Sequence, residues 1–164
     1  MKVSVITEKG IRKMKVVLDP GAILPTRAHA WDAGLDLYAP EDVTVPASES
    51  GLHFAMFKPA VSIGSATIDT GVHIEIPEGY VGLIKSKSGL NVNAGLTGEG
   101  VIDAHYTGSI KVKLYNHSDK AYRFMAGDKI AQLVIVPCLL PDLEQVDYLE
   151  ETDRGNKGFG STGR

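Results

Sequence analysis

The chain has 164 residues, a formal net charge of -3 and one cysteine. This length fits a single domain over residues 1–164 with one core, and the acidic balance argues against direct nucleic-acid binding, which requires a basic face. The lone Cys138 excludes an internal disulfide or a zinc quartet and fits a reducing compartment. Because no apolar stretch approaches the ~20 residues of a membrane span, we expect a cytoplasmic protein that does not enter a membrane.

Alternation of apolar and polar residues predicts an all-β chain, and helical periodicity is nearly absent. Residues 1–10 form either an edge strand or a loose arm, and residues 50–65 form a possible insertion. Turn-forming residues at 77–79, 117–120 and 126–128 separate the strands. Short strands joined by frequent turns are typical of a sandwich or a barrel. The predicted strands are residues 43–45, 73–76, 80–84, 109–115 and 129–137.

Two polar side chains fall inside apolar segments, where burial requires a partner. Asp36 lies in the sequence Gly-Leu-Asp-Leu-Tyr, and its charge is costly to bury unless a cation or hydrogen bonds compensate it. Gln132 lies in the apolar strand 129–137 and must find either a phosphate or the backbone as its partner. The five histidines show no ligand spacing with one another or with Cys138, which argues against a dedicated transition-metal site.

Two further polar segments carry candidate chemistry. Residues 86–89, Ser-Lys-Ser-Gly, follow directly after a predicted strand and form either an ordinary polar turn or a phosphate cradle. Asp103 follows an apolar pair and is either a turn-forming residue or a general base that holds an attacking water. Tyr106 is either a packed aromatic residue or a platform for a sugar or a base.

The last eleven residues, 154–164, combine four glycines with charged and hydroxyl side chains and one aromatic ring, Phe159. Such a segment cannot form a core, and a disordered end is the ordinary alternative. Ordering it costs on the order of 10 kcal/mol, which a few charge-assisted hydrogen bonds can offset. We therefore expect a flexible lid over about residues 153–164 that closes only over a polyanion.

Five segments in chain order resemble the five motifs of the trimeric dUTPases. The likeness extends from about Asp32 to the C-terminus and also includes Ile-Asp-Thr-Gly-Val at 68–72. The N-terminal arm and residues 50–65 lie outside it. The five segments are Ala-Gly-Leu-Asp-Leu-Tyr-Ala at 33–39, Ser-Lys-Ser-Gly at 86–89, Gly-Val-Ile-Asp-Ala-His-Tyr-Thr-Gly at 100–108, Gly-Asp-Lys-Ile-Ala-Gln-Leu at 127–133 and Arg-Gly-Asn-Lys-Gly-Phe-Gly-Ser-Thr-Gly at 154–163.

This resemblance implies an all-β, jelly-roll-like distorted β-barrel that forms a homotrimer with C-terminal arm exchange. It implies hydrolysis of dUTP to dUMP and pyrophosphate, which limits uracil incorporation into DNA and supplies dUMP for dTMP synthesis. Asp103 would deprotonate the water that attacks the α-phosphorus, and Ser88 would hydrogen-bond the oxygen that leaves with pyrophosphate. Mg²⁺ would ride on the triphosphate, with Asp36 reaching it through coordinated water.

The same resemblance implies the remaining substrate contacts. Tyr106 would stack on the deoxyribose and leave no room for a 2′-hydroxyl, while the backbone of a hairpin at 93–101 would read the uracil edge. Phe159 would cover the uracil ring and exclude water. Gln132 and the lid residues would bind the phosphates. The implied substrate-binding residues are Ser86, Lys87, Gly89, Gly98, Val101, Tyr106, Gln132, Arg154, Phe159, Gly160, Ser161 and Thr162.

Five positions depart from the commonest family pattern, among them Leu35, where the family often has Tyr, and Lys157, where it often has Gly. Lys87 and Lys129 stand where the family often has Arg, so the charge is kept but the bidentate geometry is lost. His105 stands where the family often has Asp. These departures bear on affinity more than on the type of reaction.

Two other functions fit the same scaffold. A dCTP deaminase would need a catalytic carboxylate on the strand after Tyr106, but residues 109–114 read Ser-Ile-Lys-Val-Lys-Leu. A nucleotide-gated regulator that binds a protein partner could use residues 50–65, which otherwise form an additional β-hairpin.

Overall fold

Short strands make up most of the regular structure, as the alternating sequence predicts. The computed structural model describes residues 13–51, 60–152 and 154–156. The elements are β1 (Val16–Leu18), β2 (Gly34–Tyr38), β3 (Val43–Val45), β4 (Glu49–Gly51), β5 (Ala60–Ser62), β6 (Gly64–Asp69), β7 (Val72–Ile74), β8 (Tyr80–Lys85), α1 (Ser88–Ala94), β9 (Leu96–Ile102), β10 (Lys111–Asn116), β11 (Tyr122–Phe124) and β12 (Lys129–Pro137).

One six-stranded sheet dominates the fold, with the strand order β2-β12-β8-β9-β10-β6. All of its pairings are antiparallel. Two-stranded sheets β1-β7, β11-β3 and β4-β5 complete the architecture. This curled antiparallel arrangement confirms the predicted all-β, jelly-roll-like class.

The core lies on the face of the main sheet where the apolar residues of each strand fall. Val112 and Leu114 of β10 are buried while Lys111 and Tyr115 are exposed, because successive side chains of a strand point to opposite faces. Burying each such apolar side chain contributes about 1.5 to 3 kcal/mol. Phe124, also buried, packs against Tyr122 with ring centroids 4.7 Å apart.

The predicted strand boundaries agree with the structure for some strands only: β7 covers Val72–Ile74 instead of 73–76, and β10 begins at Lys111, two residues after the predicted start at 109. The bounds of β3 and β12 are those predicted, and β8 continues one residue further, to Lys85. The turn before β8 is also present, with the Tyr80 N–H donating to the Pro77 carbonyl at 3.2 Å. It does not form a hairpin, since β7 pairs with β1 and belongs to a different sheet from β8.

The predicted insertion is partly an additional hairpin. β4 pairs with β5 in the register Glu49 with Ser62, as the simpler interpretation of residues 50–65 predicts. The boundary at 65 is wrong, because Ser65 lies in β6 and pairs with Tyr115 in the main sheet. Residues 52–59 and the predicted arm at 1–10 lie outside the described residues.

Helix α1 was not predicted, since none of its residues is buried and no apolar periodicity marks it. It ends at Gly95, which has φ 64° and donates its N–H to Asn91 at 3.1 Å, a left-handed cap that suits glycine. The predicted hairpin at 93–101 is therefore wrong: it comprises the end of α1 and most of the single strand β9. Within the described residues, no helix is long and apolar enough to cross a membrane.

Asn116 provides a test of the packing around β10, because its side chain is fully buried. Its Nδ2 donates to the carbonyls of Pro46 at 3.0 Å and Lys120 at 2.8 Å, and its Oδ1 accepts the Ser118 N–H at 3.0 Å. We expect Asn116→Ala to lower the free energy of unfolding by about 2 to 3 kcal/mol, since buried partners lose their hydrogen bonds.

Urea denaturation measures this loss. The exposed Asn93→Ala in α1 serves as the control and is expected to stay within about 0.5 kcal/mol of the parent. Equal stability of the two variants would contradict the structural role of Asn116.

Candidate active site

The strand order of the main sheet brings three of the polar segments together. Gln132 of β12 pairs with Asp36 of β2 on one side and with Lys85 of β8 on the other. Residues 86–89 follow Lys85 directly and so continue from the same sheet edge. Segments that lie far apart in sequence therefore form one contiguous surface.

Asp36 is the charged centre of this surface and is only 3% exposed. The Lys87 Nζ lies 2.5 Å from its Oδ1, and the Lys129 Nζ lies 2.7 Å from its Oδ2. Both carboxylate oxygens thus accept a hydrogen bond from an ammonium group. The prediction that a cation or hydrogen bonds must compensate this buried charge is confirmed, since two lysines supply both.

The pKa of Asp36 reflects this balance. Burial alone would raise the pKa, but hydrogen bonds from Lys129 and Lys87, together with their charges, outweigh burial and hold it below its ordinary value. The hydrogen bond to Asp36 in turn raises the pKa of Lys129. The Asp36 carboxylate and the Lys129 ammonium are therefore both charged at neutral pH.

This arrangement also limits how Mg²⁺ can be held. Among the described residues, no group of three or more His, Cys, Asp or Glu side chains could hold a metal ion. Direct metal ligation by Asp36 would displace a lysine. Because Mg²⁺ retains its waters and binds phosphates readily, the donor set fits an ion that arrives on a triphosphate and is contacted through water. This role of Asp36 stays a prediction.

Glycines shape the space around the polar surface. A Cβ at Gly34 would lie 2.7 Å from the Gln132 Oε1, so glycine makes room for the amide. A Cβ at Gly89 would meet nothing within 4 Å, which leaves the backbone there open to approach. Glycine is required at position 98 for packing, since a Cβ there would lie 2.9 Å from the Leu114 Cδ2.

Asp103 and Tyr106 lie in the loop that follows β9. The Tyr106 N–H donates to the Asp103 carbonyl at 3.2 Å, and the Tyr106 hydroxyl donates to the Ser109 carbonyl at 3.0 Å. His105 between them has φ 67°, a left-handed conformation that is uncommon outside glycine. Asp103 lines an open groove together with Tyr80.

The two sets of predicted catalytic residues lie at opposite ends of β8. Ile102 of β9 pairs with Gly82, so Asp103 follows at the level of Val81. From position 81 to Ser86 the strand advances five residues, or roughly 17 Å at about 3.3 Å per residue. One protomer therefore does not bring Asp103 together with Ser88 and Gln132.

The C-terminal part of the chain leaves the sheet after β12. Residues 138–152 contain no strand, and their apolar side chains are exposed. Arg154 lies in a turn in which the Gly155 N–H donates to the Thr152 carbonyl at 2.9 Å. Phe159, Gly160, Ser161 and Thr162 lie outside the described residues. The exposed apolar residues of this segment are Leu139, Leu140, Leu143, Val146, Tyr148 and Leu149.

Replacing the central carboxylate tests its role. Asp36→Asn keeps the shape but leaves Lys87 and Lys129 without their counter-charge, so we expect the free energy of unfolding at pH 7 to fall by about 1 to 3 kcal/mol. Because the folded pKa is lowered, this stabilisation is present above the unfolded pKa of about 3.9 and is lost as the pH falls through the folded pKa.

The difference between the parent and Asp36→Asn should therefore narrow below about pH 4, as measured by urea denaturation from pH 3 to 7. Glu99→Gln is the control, because the Lys85–Glu99 pair, at 2.9 Å, is exposed and contributes about 0 to 1 kcal/mol. A difference that does not change with pH would contradict the charge balance.

Comparisons with known proteins identify the family. The dUTPase family model matches residues 21–163. The deoxyuridine 5'-triphosphate nucleotidohydrolase of Debaryomyces hansenii is 38% identical over 162 residues, which cover 96% of this chain and 92% of the yeast protein.

Solved structures of phage proteins share the fold. The Staphylococcus bacteriophage 80alpha dUTPase with dUPNHPP aligns with a TM-score of 0.78 and 34% identity, covering 93% of this chain and 99% of its own. A mutant dUTPase from phage phi11 of S. aureus, described as coordinating a structural Mg(II) ion, aligns with a TM-score of 0.69 and 31% identity over 85% of this chain and 99% of its own. The chain therefore belongs to the dUTPase family.

Proposed function

We propose that this chain hydrolyses dUTP to dUMP and pyrophosphate. The observation that carries the proposal is the sheet edge where Asp36, Gln132 and residues 86–89 meet, in a chain that belongs to the dUTPase family. The yeast relative is named for this activity, and the phage 80alpha structure contains dUPNHPP.

The phosphates bind at that sheet edge. Lys87 donates one of its three N–H groups to Asp36 and retains two for phosphate oxygens. Asp36 holds Lys87 and Lys129 in place, so less side-chain entropy is lost when substrate binds. Ser86, the Gln132 amide and the open backbone at Gly89 supply the remaining contacts.

The chemical step is an attack by water on the α-phosphorus. Asp103 accepts a proton from the water as the new phosphorus–oxygen bond forms, and the bond from the α-phosphorus to the bridging oxygen breaks. The Ser88 hydroxyl donates a hydrogen bond to that oxygen as it gains charge and leaves with pyrophosphate. The substrate is the Mg²⁺ complex of dUTP, in which the ion neutralises phosphate charge.

Tyr106 and β9 select the nucleoside. The Tyr106 ring is 43% exposed, and its hydroxyl is bound to Ser109, so the ring can face a deoxyribose in a fixed orientation. A 2′-hydroxyl would collide with it. The backbone near Gly98 and the exposed Val101 would read the uracil edge, since cytosine presents the opposite donor pattern at position 4.

The site requires more than one copy of the chain. The attacking water and Ser88 must both lie within about 3 Å of groups on the same phosphorus, whereas Asp103 and Ser86 of one protomer are roughly 17 Å apart along β8. Asp103 of one protomer therefore acts with Ser88 of another. A homotrimer with three such sites satisfies this requirement.

The C-terminal segment supports arm exchange in that trimer. Six apolar side chains between Leu139 and Leu149 are exposed on an extended segment, and covering each against a neighbour would contribute about 1.5 to 3 kcal/mol. We assign the lid at 153–164 to a third protomer. In this assignment Arg154, Ser161 and Thr162 bind the terminal phosphates, and Phe159 and Gly160 cover the uracil ring.

The remaining proposals concern the compartment, the domain organisation and the two alternative functions. The protein is assigned to the cytoplasm, and a single domain with the 50–65 insertion stays a prediction. The alternative role as a nucleotide-gated regulator is not favoured, because the family and the yeast relative are named for dUTP hydrolysis. A regulatory protein partner stays a prediction. The dCTP deaminase alternative is disfavoured because β10 carries no carboxylate.

Pyrophosphate release from dUTP, dCTP, dTTP and UTP tests base, sugar and reaction together. We expect turnover of dUTP and at least about 100-fold lower kcat/KM for the others. Asp103→Asn should lower kcat by about 10² to 10⁴ through loss of the base while binding a nonhydrolysable dUTP analogue with little change.

Asp119→Asn, in the exposed turn after β10, is the matched control and should retain the parental kcat. Retained turnover by Asp103→Asn, or loss of its binding to the analogue, would refute the assignment of the base.

A further inference from the structure

The loop that carries Asp103 and Tyr106 is fastened to a corner of the molecule that the proposed chemistry does not use. This corner comprises residues 69–73, at the end of β6 and the start of β7. The Ile110 N–H donates to the Val72 carbonyl at 2.9 Å, and the Thr70 hydroxyl donates to the Ile110 carbonyl at 2.7 Å. The end of the loop is thereby fixed.

His73 extends this attachment to the middle of the loop. Its Nδ1 lies 2.8 Å from the Thr107 carbonyl oxygen, and its Nε2 lies 3.2 Å from the Asp19 Oδ2. Both partners can only accept a hydrogen bond. A neutral imidazole has one N–H and can satisfy one of them, whereas an imidazolium donates to both.

We propose that His73 is a positioning residue whose imidazolium form holds Thr107, and through it the loop that bears Asp103 and Tyr106. The functional half of this inference rests on the proposed hydrolysis of dUTP. The structural half concerns the free protein and stands on the two contacts of the imidazole ring.

The surroundings favour the protonated ring. The hydrogen bond to the Thr107 carbonyl and then the bond to Asp19 raise the pKa of His73, partial burial lowers it, and the charges of Asp19 and Asp69 raise it further. The imidazole side chain is 27% exposed. Two further ion pairs lie on the neighbouring segments. Lys111 lies 3.7 Å from Asp69, and Lys15, which precedes β1, lies 2.9 Å from Glu75, which follows β7.

Loss of the proton would release one of the two contacts. Since the folded pKa is raised, both contacts are present at low pH, and one is lost as the pH rises through that pKa. Thr107 adjoins Tyr106, whose N–H is bonded to the Asp103 carbonyl, so a shift of Thr107 moves both functional residues. A displacement of about 1 Å at a reacting group costs about 10²-fold in rate.

The structural half is tested without substrate, by ¹⁵N NMR of the His73 ring and of the amides at 107 and 108. We expect both ring nitrogens to be protonated below a midpoint that lies above the ordinary value of about 6.5. The two amides should shift with the same midpoint. A midpoint at or below about 6.5, or amides that do not respond, would overturn the inference.

The functional half is tested by the pH dependence of kcat for dUTP. In the parent we expect kcat to fall as the pH rises through the His73 midpoint. His73→Gln has a single donor nitrogen and cannot donate to both acceptors. Below that midpoint its kcat should therefore be about tenfold lower than that of the parent, and the fall of kcat with rising pH should disappear. Glu75→Gln, which breaks the neighbouring ion pair, should follow the parent.

Asp19→Asn keeps the imidazole ring and provides a second test should His73→Gln fail to fold. In this variant the NMR midpoint of His73 and the pH at which kcat falls should both move to lower pH. The positioning role would be refuted if the pH dependence of kcat in His73→Gln ran parallel to that of the parent. It would also be refuted if the pH at which kcat falls were unchanged in Asp19→Asn. Absence of dUTP turnover by the parent at any pH would refute the proposed function instead, and the NMR midpoint would still decide the structural half.

Discussion

The antiparallel pairing of β8 with β9 sets the geometry of the proposed chemistry. It starts the loop of Asp103 at one end of β8, while the polar residues 86–89 begin at the other end. Sheet hydrogen bonding fixes this separation, and no rotamer change can close roughly 17 Å. In the proposed mechanism assembly is then part of catalysis, because Asp103 and Ser88 can meet only across an interface.

The second constraint is the buried charge of Asp36. A carboxylate in this position is tolerated because two ammonium groups bind it, and their positions follow from the pairing of β12 with β2 and β8. The same lysines face the region where we assign the phosphates. In the proposed function, the charge that stabilises the fold also prepares the phosphate-binding surface, and an arginine is not needed for this single-point contact.

Sequence patterns predicted the strands better than the contacts between them. The bounds of β12 follow from its long apolar run, and the need of Asp36 for a cation or for hydrogen bonds follows from its apolar neighbours. Its pairing with Lys87 and Lys129 was not predictable, since it depends on strand order, which local periodicity does not specify. Helix α1 packs only Leu90 and Ala94 against the core and buries no residue fully, which is too short a pattern to predict a helix. The alternating pattern predicts only that His73 lies in a strand, because its partners Asp19 and Thr107 are far from it in sequence.

The most direct test of a site shared between protomers is complementation between two impaired variants. Asp103→Asn and Ser88→Ala are each deficient alone, but random mixing in one oligomer would combine an intact Asp103 with an intact Ser88 in about a quarter of the sites. Coexpression should therefore restore about that fraction of parental pyrophosphate release from dUTP. Activity no higher than the average of the separate variants would contradict a site built from more than one chain.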